Sequence, residues 1–89
     1  MKNVYMVYDK KAQCVIGSMI TEVRDGPAIR AFRDALDPSN KNVLSDHPAD
    51  FKLLCLGALD DQGTLIPATN ILTVDDGEYD NTPNNGDTR

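Results

Sequence analysis

The most apolar run of this 89-residue chain is Phe51-Lys52-Leu53-Leu54-Cys55-Leu56-Gly57-Ala58-Leu59. Turn-forming residues bound it on both sides, with Pro48 before it and Gly63 after it. A short apolar run with such borders favours a buried strand, although Leu and Ala are also common in helices. We therefore predict that residues 51–59 form the central strand of a sheet.

The segments on either side of this run supply further strands. Residues 3–8 predict a strand with Val4, Met6 and Tyr8 on one face and Tyr5 and Val7 on the other. A polar connection at 9–13 leads to a second strand over residues 14–23. Gly17, in the middle of that strand, indicates a bulge or a close backbone approach. After the central strand, Thr64–Ile66 predicts a short strand stopped by Pro67, and Ile71–Val74 predicts an edge strand.

One amphipathic helix lies between the second strand and the central one. Asp25-Gly26-Pro27 is typical of a helix start, with Asp25 expected to accept hydrogen bonds from the first free amides. Ala28, Phe32 and Leu36 then recur at helical spacing. The helix is expected to end before Pro38, because the residue before a proline disfavours helical geometry.

This order of elements predicts an α+β fold, a small, mainly antiparallel sheet with one amphipathic helix on one face (ββαββ-like). Residues 1–74 hold nine acids and eight bases, a balance of −1, whereas 75–89 hold five acids and one base, a balance of −4. We therefore expect a single domain over 1–74 and a disordered acidic tail over 75–89. The second sheet face is left uncovered, which favours a homodimer if that face is apolar.

Several functional classes find no support in the sequence. Two cysteines and one histidine give no zinc spacing, and no phosphate-binding loop or nucleophile motif is present. His47 has Asp46 and Asp50 nearby, but a histidine beside Pro48 more often opens a turn than acts as a base. No run reaches the about 20 apolar residues of a membrane helix. We expect no enzyme activity, catalytic residue, metal, cofactor or membrane contact.

Three blocks carry a resemblance to a known family. They are Tyr8-Asp9-Lys10-Lys11-Ala12, residues 25–32 from Asp25 to Phe32, and residues 47–57, which lead into Asp60-Asp61. In this order and spacing, over residues 4–63, the chain resembles the small nonstructural proteins of gokushoviruses, which are single-stranded DNA bacteriophages. The family usually places an aromatic residue where Leu54 stands.

The resemblance implies an intracellular phage protein that is absent from the virion and works in the host bacterial cytoplasm. It implies a role in viral DNA replication or packaging, with DNA binding, and it brings no catalytic residues. Basic side chains at a hairpin tip and along one helix face, with one strand aromatic, make a tentative single-stranded DNA site. Its residues are Lys10, Lys11, Arg30, Arg33, Lys41 and Tyr5.

Other interpretations stay open. The same cations can simply balance surface carboxylates while Tyr5 packs in the core. The acidic tail can be solvated, or it can occupy the basic residues until DNA or a partner displaces it. As alternatives to DNA binding, the chain can be a protein-interaction module that binds a phage replication protein or a host factor by strand addition at an open sheet edge. It can also be a DNA mimic that blocks a host enzyme, although its negative charge lies in the tail and not over a folded surface.

Overall fold

The computed structural model describes residues 1–79 and contains one antiparallel sheet of four strands, in the order β2-β1-β3-β4. The strands are β1 (Lys2–Asp9), β2 (Cys14–Glu22), β3 (Phe51–Leu59) and β4 (Leu65–Asp76). A helix α1 (Asp25–Leu36) follows β2, and a one-turn helix α2 (Val43–Asp46) lies between 3-10 turns at Pro38–Asn40 and Pro48–Asp50. Within residues 1–79, no helix is long and apolar enough to span a bilayer.

The predicted ββαββ-like helix-on-sheet class is wrong. Strands contain 48% of the described residues and helical segments contain 28%. Among the helical segments only α1 is longer than one turn. The fold is therefore a mainly antiparallel four-stranded sheet with one real helix. The two short strands predicted around Pro67 are one twelve-residue strand, β4. Asp75 and Asp76, assigned to a disordered tail, belong to that strand. The predicted disorder of 80–89 lies outside the described residues.

Pro67 does not end β4 because the strand lies at the edge of the sheet, where a missing N–H is tolerated. The register next to Pro67 is irregular, with four residues of β4 opposite one residue of β3. Pro67 pairs with Gly57 and Leu72 pairs with Cys55, so residues 68–71 lie opposite Leu56 alone. Gly57 is required there because a Cβ at this position would lie 2.2 Å from the carbonyl oxygen of Ile66.

The predictions for β2 and β3 agree with the structure at two particular points. β3 spans Phe51–Leu59 and lies inside the sheet between β1 and β4. The β1–β2 register shifts between the pairs Tyr5–Ile20 and Val7–Ile16, and Gly17 in that interval has a φ of 77°. A bulge at Gly17 is therefore confirmed.

The core lies between α1 and the middle of the sheet. The helix buries residues at the predicted helical spacing, and three sheet residues complete the cluster: Ala28, Phe32, Leu36, Tyr5, Phe51 and Leu53. The predicted capping role of Asp25 is wrong, because α1 begins at Asp25 itself and Arg24 precedes it without a side-chain cap. Asp25 instead accepts a hydrogen bond from the hydroxyl of Tyr5. The first strand thereby fixes the start of the helix.

Candidate functional site

Lys10, at the β1–β2 hairpin, is held by acidic residues at the end of β4. Its Nζ lies 2.8 Å from Oδ1 of Asp76, 3.3 Å from Oε1 of Glu78 and 3.0 Å from the carbonyl oxygen of Ala49. The hydrogen bond to Asp76 raises the pKa of Lys10 above its ordinary 10.5. Its ammonium is therefore committed to partners within the chain.

Arg33, on α1, reaches the same segment. Nε donates to Oδ2 of Asp75 at 2.8 Å and Nη2 donates to Oδ1 at 2.9 Å, which is the two-pronged geometry that an arginine also offers to a phosphate. Nη2 and Nη1 also donate to the carbonyl oxygens of Asp76 and Tyr79, at 2.9 and 3.1 Å. Asp75 is buried, with 9% of its surface exposed, so this pair is part of the folded body.

Tyr5 is fully buried and its ring is part of the core. Its hydroxyl donates to Oδ1 of Asp25 at 2.5 Å and accepts from Nδ2 of Asn3 at 3.1 Å. Burial and the hydrogen bond to Asp25 raise the pKa of Tyr5 to about 12. A ring in this position offers no face on which a nucleic-acid base could stack.

The other three predicted DNA-site residues are exposed. Lys11 lies in the hairpin connection, Arg30 on α1 and Lys41 just after the 3-10 turn at Pro38–Asn40. Among residues 1–79, no carboxylate lies within ion-pair distance of any of the three. The structure thus brings Lys10 and Arg33 together on the segment Asp75–Tyr79 and leaves Lys11, Arg30 and Lys41 on three separate elements.

Reactive side chains do not cluster in the part of the chain that the structure describes. No group of three His, Cys, Asp or Glu residues there is placed to hold a metal ion. Cys14 and Cys55 are free thiols, and Cys14 is exposed, although both cysteines sit in apolar runs that indicate burial. His47 is exposed at the junction between α2 and the Pro48–Asp50 turn.

An apolar surface at the edge of the sheet was not predicted as a site. We call it the β4 apolar patch, and its members are Leu65, Ile66, Ile71 and Leu72, of which Ile71 and Leu72 are 59% and 61% exposed. The sequence signal that could have indicated it is the absence of charge. None of the thirteen residues from Gln62 to Val74 is charged, and this is the longest uncharged stretch in the chain. Because successive strand residues face opposite sides of the sheet, these exposed apolar groups lie on both sides of the β4 edge, where they are available to a partner.

Comparison with known proteins places the chain among phage proteins. The profile of the family described as Phage ORF5 protein matches residues 2–78. Protein ORF5 of Chlamydia phage 1 is 35% identical over 81 residues, an alignment that covers 84% of this chain and 83% of that relative. No solved structure matches the chain.

Proposed function

Because the chain belongs to the Phage ORF5 protein family, we propose that it is a non-enzymatic phage accessory protein that acts in viral DNA replication or packaging in the host cytoplasm. The resemblance to gokushovirus small proteins is confirmed by the match to this family and to the ORF5 protein of Chlamydia phage 1. The replication or packaging role is the one that this resemblance implies.

The molecular activity that the geometry supports best is protein–protein interaction through the β4 apolar patch. The observation that carries it is the exposure of Leu65, Ile66, Ile71 and Leu72 on the part of the edge strand that carries no charge. Covering large aliphatic side chains removes apolar area from water, worth about 25 cal/mol per Å². Three of the six predicted DNA-site residues, by contrast, are engaged by partners within the fold.

A complementation experiment tests this proposal. Host cells carrying a phage that lacks this gene receive the chain with Ile71→Thr and Leu72→Thr. Threonine is β-branched and compatible with a strand, so the variant removes apolar surface while keeping strand propensity. The matched control is Val15→Thr with Met19→Thr on the opposite edge strand, where the side chains are 43% and 56% exposed. We expect the yield of single-stranded viral genome to fall with the β4 variant and to match wild type with the β2 control. Equal yields from the two variants would refute the proposal.

DNA binding is the second candidate, and a specific observation favours it. Lys11, Arg30 and Lys41 are exposed, and no ion pair to another residue of 1–79 occupies them. Their ammonium and guanidinium groups are available to phosphates, and phosphate contacts make affinity depend on salt. In this form of the proposal, Lys10, Arg33 and Tyr5 support the fold, whereas the three exposed cations touch the DNA.

Fluorescence anisotropy with single-stranded and duplex oligonucleotides at low salt tests this second candidate. Binding should weaken steeply as salt rises, and weaken further when Lys11, Arg30 and Lys41 are changed together to alanine. Lys2→Ala, at an exposed cation of β1, is the matched control for loss of one charge elsewhere. Absence of binding at about 100 μM, where even weak non-specific binders respond, would remove the candidate.

A further inference from the structure

The dipeptide Asp-Gly occurs twice in the chain, at Asp25-Gly26 and at Asp76-Gly77. We infer that Asp25-Gly26 is a site of spontaneous aspartate isomerisation, whereas the fold protects Asp76-Gly77 from the same reaction. The two sites have the same local chemistry and differ in the contacts that the folded chain gives them. This modification is independent of the proposed function.

The reaction requires a main-chain nitrogen that can approach the carboxyl group of the preceding aspartate. The glycine nitrogen attacks Cγ of the protonated carboxyl group, and an N–Cγ bond forms. The Cγ–O bond breaks, and that oxygen leaves with the amide proton in a molecule of water. A second molecule of water then opens the cyclic imide. Opening at the main-chain carbonyl leaves the backbone running through Cβ and Cγ, which is isoaspartate. Glycine favours the reaction because its backbone has few steric restrictions.

At the start of α1, little prevents this approach. Asp25 and Gly26 are both exposed, and they occupy the first turn of the helix. Backbone N–H groups in a first turn have no acceptor inside the helix. Arg24 precedes the turn without a side-chain cap, so the turn frays at low cost. A Cβ on Gly26 would meet no atom within 4 Å, which shows open space around that residue.

One side-chain hydrogen bond restrains Asp25. It comes from the hydroxyl of Tyr5, whose ring is anchored in the core. A side chain that is held in one rotamer samples the geometry of ring closure less often than a free one. The Tyr5 hydroxyl therefore slows the isomerisation of Asp25 without preventing it.

At the end of β4, three contacts oppose the same reaction. The amide of Gly77 donates to the carbonyl oxygen of Phe51 at 2.8 Å. Gly77 packs so closely against the carbonyl group of Pro48 that no side chain would fit. The carboxylate of Asp76 accepts a hydrogen bond from Nζ of Lys10 at 2.8 Å. Ring closure here requires the end of the strand to separate from its neighbours, which costs more than fraying of a helix end.

Isoaspartate at position 25 would alter the start of α1. The side-chain methylene enters the backbone, and the former main-chain carboxyl group becomes the side group. The hydroxyl of Tyr5 would then lose the geometry of its bond to residue 25. The buried helix residues begin later, at Ala28, so we expect the first turn to loosen while the core and the sheet stay intact.

Peptide mapping of the full chain after incubation at neutral pH tests the inference. Electron-transfer dissociation assigns isoaspartate to a position, which is needed because Asn85-Gly86 also yields isoaspartate, by deamidation. In the folded chain, isoaspartate should form at position 25 at least about tenfold faster than at position 76. In urea that unfolds the chain, the two rates should agree within about twofold, because both sites are then unrestrained.

Two variants report on the contacts at Asp25, and circular dichroism verifies that both are folded. Gly26→Ala should slow the reaction at position 25, because a side chain obstructs the attacking nitrogen, and leave position 76 unchanged. Tyr5→Phe should accelerate position 25 by about fivefold, the equivalent of one net hydrogen bond. Equal rates at the two positions in the folded chain, or a faster reaction at position 76, would overturn the inference. Equal acceleration of both positions by Tyr5→Phe would refute the role given to the Tyr5 hydroxyl.

Discussion

Arg33 and Asp75 form a bidentate pair that joins helix α1 to the last strand across 42 residues of sequence. The pair is largely shielded, with 20% of the arginine side chain and 10% of the aspartate side chain exposed. Charge-assisted hydrogen bonds in such a setting are among the stronger polar contacts, and loss of one partner leaves the other charge without compensation. The primary role of Arg33 is therefore to hold α1 against the end of β4.

Arg33→Ala should lower the free energy of unfolding by about 2–4 kcal/mol, because Asp75 would remain buried without its partner. Arg30→Ala, which removes an exposed arginine from the same helix, should change it by less than about 0.5 kcal/mol. Urea unfolding followed by circular dichroism measures both. Equal effects of the two substitutions would show that the Arg33–Asp75 pair does not stabilise the fold.

Tyr5 should make the fold sensitive to alkali. The pKa of Tyr5 is raised from 10.0 to about 12, so its contribution to stability is complete below pH 10 and is lost as pH rises through about 12. Tyr5→Phe should remove this dependence and cost only about 1 kcal/mol near neutral pH, the net value of one hydrogen bond, because Asp25 is exposed and water replaces the lost donor. Chemical denaturation at several alkaline pH values, with the exposed Tyr79→Phe as control, measures it. Identical pH profiles for the two variants would contradict the prediction.

The pair of Lys10 and Asp76 should contribute at neutral pH and weaken in acid. Burial alone would raise the pKa of Asp76, but hydrogen bonds from Lys10 and the Glu78 amide outweigh it and hold the pKa below its ordinary 3.8. A lowered carboxyl pKa gives stability that is present above pH 3.8 and disappears as pH falls through the folded-state value. The stability difference between wild type and Asp76→Asn should therefore shrink below about pH 4. A difference that stays constant down to pH 2 would argue against the ion pair.

Gly77 should tolerate no side chain. It follows β4, its amide donates to the carbonyl oxygen of Phe51 at 2.8 Å, and a Cβ on it would lie 1.9 Å from the carbonyl oxygen of Pro48. Gly77→Ala should therefore cost about 3 kcal/mol or more in thermal or urea unfolding. Gly26→Ala in the first turn of α1 meets no atom within 4 Å and should stabilise by about 0.5 kcal/mol. A harmless Gly77→Ala would show that residue 77 does not pack against Pro48.

Local sequence signals predict β3 and α1 well, because the pattern that indicates each element lies within the element and its immediate neighbours. The apolar run 51–59 with its turn-forming borders gave the bounds of β3, and the spacing of Ala28, Phe32 and Leu36 gave the buried face of α1. The cap at Asp25 was wrong because a tertiary contact, the Tyr5 hydroxyl, competes for its carboxylate.

Local sequence signals do not indicate contacts between residues that are far apart in the sequence. Asp75 and Asp76 stand in an acidic, polar segment that favours disorder by composition, and only their partners Arg33 and Lys10 bring them into the folded body. The same contacts removed two cations from the predicted DNA site. The sequence predicts two strands in place of β4 because a proline usually ends a strand. The position of β4 at the sheet edge, where Pro67 is tolerated, is a property of the topology and has no local sequence signal.

Photo-crosslinking in phage-infected cells tests most directly whether the β4 apolar patch is a protein-contact surface. A photoreactive phenylalanine analogue is placed at Leu72 in the patch, at Met19 on the opposite edge strand, and at Arg30 on the exposed side of α1. We predict protein adducts from position 72 and none from position 19. Adducts with DNA from position 30, with no protein adduct from position 72, would contradict the account.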